Sequence, residues 1–171
     1  MKLIEAMKQL KDLKIKAEDL RNKVGKFCAD LTIQTPTYPD QKGQVSQWIQ
    51  AHHDVVKEIV HLRTSIQRTN LETHVTIQLD GKQVTKPIAY WIHRRHDLAA
   101  MEQQVWQKLG DLGLKEQNLQ TVQDGSVTEI RIRRYFDPVE RDKHVESYRR
   151  EPSMIDATLE ITNAVTDLIE S

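Results

Sequence analysis

The sequence predicts a mainly α protein: two related antiparallel helical hairpins, packed like a coiled-coil bundle, with short β-hairpin insertions. Three observations predict it. Apolar residues advance by alternating steps of three and four through long runs, the period switches to two around Asp-Gly dipeptides, and the second half of the chain repeats features of the first. A chain of 171 residues is long enough to bury a core of its own.

The first run carries Leu3, Ala6, Leu10, Leu13, Ala17, Leu20, Val24, Phe27 and Leu31 along one seam. The stretch TIQTPTYPDQKGQ then interrupts it, because two prolines and a glycine break a continuous helix. The seam resumes at Val45, Trp48, His52, Val55, Ile59, Leu62, Ile66, Thr69 and Thr73, so two long helices are expected to fold back on each other. Residues 1–73 form this first hairpin. Over 74–86, HVTIQL, the dipeptide Asp80-Gly81 and KQVT predict a β-hairpin linker.

Residues 87–171 form the second hairpin. Pro87 suits a first helical turn, and Ile88, Trp91, Arg95, Leu98, Glu102, Val105 and Leu109 restore the three-four stepping. An inserted strand region near 120–136 follows the turn candidate Asp124-Gly125; in SVTEIRIRRYF, Ile130 and Ile132 are expected to face the core and Arg131 and Arg133 the solvent. Asp137 and Pro138 then open a last helix that Pro152 should kink or restart. Laying Asp12-Leu13 over Asp97-Leu98 also places Gly25 on Gly110, and IQRTNLET over LEITNAVT shares T-N-x-x-T, so one hairpin looks duplicated.

Charge and cysteine content narrow the function. Lys plus Arg (25) balances Asp plus Glu (25), which leaves no overall field for a nucleic-acid polymer or an anionic membrane. The single cysteine, Cys28, fits a reducing compartment, and the opening residues resemble neither a secretion signal nor a membrane span. The expectation is a cytoplasmic protein whose chain begins near Met1. Phosphate-loop, dinucleotide, zinc-protease and nucleophile-elbow motifs are absent and glycines number six, which argues against an enzyme and against a cofactor. His93 and His96 share a helix face without a third ligand, so no metal site is expected.

Two polar features remain. Thr69, Asn70, Thr73, Thr162, Asn163 and Thr166 make up the T-N-x-x-T boxes, read first as architectural, with threonines bonding back to their own helices and asparagines bridging the hairpins and fixing register; the alternative is that Thr69, Asn70, Thr162 and Asn163 contact a ligand. The other is cationic and aromatic: Tyr90, Trp91, Arg94 and Arg95, with Arg131, Arg133, Arg134 and Tyr135. Guanidinium forks suit phosphate oxygens and flat rings suit nucleobases, so these eight residues are the expected ligand site.

The boxes MKLIEA, IQRTN and ITNAVTDL resemble a family of short helical-hairpin proteins of bacteria and phages labelled septicolysin-like, most of whose members have no assigned activity. The resemblance covers most of the helical chain and implies its fold, while YWIHRRHD and RIRRYFDP stand outside the pattern. At the level of class, small size, absent catalytic motifs and Arg-plus-aromatic content are similar to phage nucleotide sponges, which capture cyclic nucleotide immune signals. The expected function is therefore a homo-oligomer holding a small anionic nucleotide, in the host cytoplasm if phage-encoded. The alternative is a helical scaffold or adaptor with no small ligand.

Overall fold

The computed structural model describes residues 1–120 and 127–170. The protein is mainly α, as its periodicity predicts. In order come α1 (Leu3–Phe27), α2 (Gln41–Glu72), β1 (His74–Leu79), β2 (Lys82–Pro87), α3 (Ile88–His93), a π-helical turn (Arg94–Leu98), α4 (Ala99–Gln107), β3 (Gln117–Gln120), β4 (Val127–Ile130) and α5 (Pro138–Val165). Two compact units are formed. The first contains Met1–Val75, Thr85–Ala89 and the chain from Thr158 onward; the second contains Thr76–Val84 and Tyr90–Ala157. The β1–β2 hairpin and α5 thus contribute to both.

In the first unit, α1 and α2 make an antiparallel pair. Ala6, Leu13, Leu20, Val55, Ile59 and Leu62 form its buried seam, flanked by Leu10, Ala17, Trp48, Ala51, Ile66 and Leu168. The seam is the predicted one, but it stops at Phe27: Leu31 lies beyond α1 and is 63% exposed. The physical reason lies at the helix end. The Phe27 ring meets Tyr38 and Trp48 at 5.5 Å, and Gln41 Nε2 donates to the Phe27 carbonyl at 3.0 Å. A carbonyl orphaned by helix termination is thereby satisfied. Asp40 caps α2 by accepting from the Gly43 amide.

At the far end of this unit the two ends of the chain meet. Leu3 N donates to Thr166 O at 2.9 Å, Leu168 N donates to Met1 O at 2.8 Å, and Lys2 pairs with Asp167 at 2.9 Å. Lys2 Nζ also donates to Val165 O, where a cation complements the carbonyl end of α5. The Thr69 hydroxyl, fully buried, donates to Ser65 O at 2.8 Å and accepts the Ile169 amide at 2.9 Å. MKLIEA, IQRTN and ITNAVTDL therefore converge on one clasp. Thr69→Val keeps the shape but strands the Ile169 N–H, and is expected to cost about 0.5–1.5 kcal/mol. Hydrogen exchange should show faster exchange at the Ile169 amide and little change at mid-helix amides.

The β1–β2 hairpin matches expectation. Asp80 (φ 48°) and Gly81 (φ 76°) both occupy the left-handed region that a two-residue hairpin turn requires. Pro87 is the last strand residue, one position before α3.

The second unit departs from the predicted seam. Trp91, Arg94 and Ala99 are buried and Gln103 and Trp106 half-buried, whereas Leu98 and Val105, expected inside, are 37% and 68% exposed, and Arg95 and Glu102 are exposed too. The step of five from Arg94 to Ala99 falls in the π-helical turn, whose wider winding adds a residue and rotates the rest of the helix. The α3–α4 arm still runs antiparallel to the first part of α5: Arg94 meets Glu151, Gln103 Nε2 donates to Val145 O, and Arg141 donates to Leu109 O. α5 continues through Pro152 without restarting.

β4 is shorter than predicted and pairs with β3, with Gln117 opposite Ile130 and Gln120 opposite Val127. All four β4 residues are exposed, Ile130 by 41%, so Ile130 does not face a core; β3 and β4 form a two-stranded sheet. The turn candidate Asp124-Gly125 lies outside the described residues.

Candidate functional site

The eight predicted ligand residues all belong to the second unit, but they have different fates. Trp91 is fully buried and is a core residue, with Tyr90 edge-on to its ring at 5.2 Å and 37% exposed. Arg94 is buried as well. The π turn directs it inward, where its guanidinium pairs with Glu151, itself 3% exposed: Nε donates to Oε1, and Nη2 to Oε2 at 3.0 Å. Nη2 also reaches Glu102 at 2.8 Å. Trp91 and Arg94 are thus removed from the predicted ligand set, because one lies inside the protein and the other has its donors taken up by carboxylates. Arg95 is exposed but paired with Asp156 at 2.6 Å.

Around Arg94 the unit builds a ladder that sequence reading missed. Arg94 lies 5.6 Å over the Tyr148 ring, Tyr148 stacks near His144, and His144 stacks on Trp106 at 4.1 Å. Hydrogen bonding to Arg94 holds the Glu102 carboxyl below its usual range, and the two acidic partners raise the guanidinium further. Burial, reinforced by the Glu102 hydrogen bond, pushes the Tyr148 hydroxyl up. The available signal was the spacing of His144, Tyr148 and Glu151 at four and three residues, one face of a helix. These groups satisfy one another and leave little for a substrate.

The second cluster is open. Arg131, Arg133 and Tyr135, with Leu114, Lys115, Ile130 and Ile132, line a shallow groove of about 440 Å³, and Tyr135 is 90% exposed. Tyr90, Trp91, Arg94 and Arg95 do not line it, so the two predicted clusters are not one pocket. Arg134 acts beside the groove, not in it. Its fork grips Asp111 through Nε and Nη2, both at 2.6 Å, which keeps the Asp111 carboxyl below its usual range. The Asp111 main-chain carbonyl accepts the Leu114 amide at 2.8 Å across a turn in which Leu112 (φ 53°) and Gly113 (φ 75°) are left-handed. A leucine in that region is strained, and the ion pair helps hold the turn that delivers Leu114 and Lys115 to the groove. Arg131 pairs with Glu129 at 2.7 Å. Among the described residues neither Arg133 nor Lys115 makes an ion pair, so both cations are left to a ligand.

The T-N-x-x-T boxes fall in the first unit. Thr69 and Thr162 bond back to Ser65 and Thr158 as expected of helix threonines. Among the described residues the bridging expected of Asn163 is not made through its Oδ1, which is buried without a hydrogen-bond partner there; the inter-segment bond runs through Thr69 instead. Among the described residues no group of three or more His, Cys, Asp or Glu side chains could hold a metal ion, and no helix is long and apolar enough to cross a membrane.

Fold and site together define a helical protein whose buried Thr69, Arg94 and Glu151 are spent on its own architecture and whose open groove is cationic. No protein-family model matches the chain, and no curated protein is similar to it. Among solved structures it is similar to a functionally unknown conserved protein from Corynebacterium diphtheriae, with 19% identity, a TM-score of 0.58 and 98% of each chain covered. That likeness concerns the fold alone.

Proposed function

We propose that this protein is a non-enzymatic member of the septicolysin-like helical-hairpin proteins that binds a small anionic nucleotide in the groove lined by Lys115, Arg131, Arg133 and Tyr135. The observation that carries the reading is the juxtaposition of Arg133, a guanidinium with no acidic partner among the described residues, with the exposed Tyr135 ring. A phosphate takes the fork and a base stacks on the ring. The sharper form of the proposal is a phage sponge for a cyclic nucleotide immune signal, acting as an oligomer in the host cytoplasm and releasing its ligand unchanged.

Calorimetric titration with a panel of cyclic dinucleotides and cyclic ADP-ribose isomers tests it. Binding is expected for at least one of them, and Arg133→Ala should weaken it by about 1.5–3 kcal/mol, the worth of a hydrogen bond to a charged group. No heat and no thermal shift with the folded protein would favour the second reading, a scaffold or adaptor. That reading has its own support in Val56 and Val60, one turn apart on α2 and 40% and 57% exposed.

A further inference from the structure

The β3–β4 hairpin carries a strand edge that the helical core does not use, although Ile130 and Arg131 also line the groove. Two strands alone are marginal in water, and the outer edge of an edge strand presents unpaired amides and carbonyls to any strand that fits. Among the described residues β4 pairs with β3 alone, and Val127 and Ile130 are 56% and 41% exposed. Beyond its last residue the chain continues as Arg131-Ile132, giving the run Thr128-Glu129-Ile130-Arg131-Ile132. Glu129 and Arg131 lie on one face of it and pair with each other at 2.7 Å, with side chains 56% and 74% exposed.

This run is self-complementary. Two copies placed antiparallel about a two-fold axis through Ile130 set Glu129 of each opposite Arg131 of the other, Ile130 opposite Ile130, and Thr128 opposite Ile132. Both ion pairs form at once, because a two-fold interface repeats every contact. Moving the axis to Glu129 or to Arg131 sets like charges face to face, so the pattern selects one register. We infer that β4 docks on β4 of a second copy of this chain, joining two hairpins into a four-stranded antiparallel sheet. The occupant is a second copy and not a foreign strand, because the charges complement this chain's own sequence. The inference shares Arg131 with the nucleotide reading but does not rest on it, and it is tested without ligand.

Light scattering coupled to size exclusion should give the full-length protein, without ligand, at twice its chain mass of 19.9 kDa. Glu129→Arg and Arg131→Glu each turn two attractive pairs into repulsive ones and should weaken dimerisation on the order of tenfold or more. Each should elute as a monomer with an unchanged circular dichroism spectrum. Mixing the two variants in equal amounts restores both pairs between unlike copies, so the mixture should return to dimer mass, as should the double variant E129R/R131E. A monomeric wild type, single variants that dimerise like wild type, or a mixture that stays monomeric would each overturn the inference. The mixing arm separates a lost interface from a damaged hairpin, because misfolding in one copy is not repaired by the other.

Discussion

Replacing Arg94 with alanine is expected to destabilise the protein by about 3–5 kcal/mol, because it leaves Glu151 buried without its counter-charge. Urea unfolding followed by circular dichroism measures this directly. The combined change of Arg94→Met and Glu151→Leu should recover much of the loss, since well-packed apolar side chains replace a buried ion pair at little cost. The same cluster makes stability depend on acid. The Glu102 carboxyl, held low by Arg94, binds its proton less readily in the folded state than in the unfolded chain. Its contribution is complete above the ordinary glutamate range and is lost as pH falls through the lowered folded value. Glu102→Gln should therefore flatten the acid limb of the stability profile. A melting point unchanged by Arg94→Ala, together with lost nucleotide binding, would return Arg94 to the ligand set.

Trp91→Ala is expected to cost about 3–5 kcal/mol, the usual penalty for emptying a buried tryptophan site. Tyr90→Ala, next to it but 37% exposed, should cost much less. Equilibrium denaturation of the two variants side by side separates the residues that sequence reading grouped together. If Trp91→Ala unfolds like the parent, the tryptophan is not the core residue its burial indicates.

The first hairpin was legible because its signal is local and repeated. Eight apolar positions in three-four steps, from Leu3 to Phe27, fix which face of α1 is buried, and the loop prolines mark where the chain turns. Asp80-Gly81 was legible for the same reason, since few residues tolerate two successive left-handed conformations. Trp91 and Arg94 were misread because composition in a short window does not tell a buried cation from an exposed one. Arg94 becomes structural only through Glu151, far along the chain, and through a π turn that no strict repeat anticipates.

The sequence by itself determined the helical class, the α1–α2 seam, the β1–β2 turn and the back-bonding of Thr69 and Thr162, all of which follow from interactions within a few residues or from a repeating period. Only the tertiary structure decided that the chain ends clasp at Lys2, Thr69 and Asp167, and that Arg94 is enclosed while Arg133 is open. It also decided that Arg134 braces a strained turn at Leu112. The reason is physical: whether a charged side chain is spent on architecture or left for a partner depends on which carboxylates the fold brings within about 3 Å of it, and that is set by the packing of segments distant in sequence.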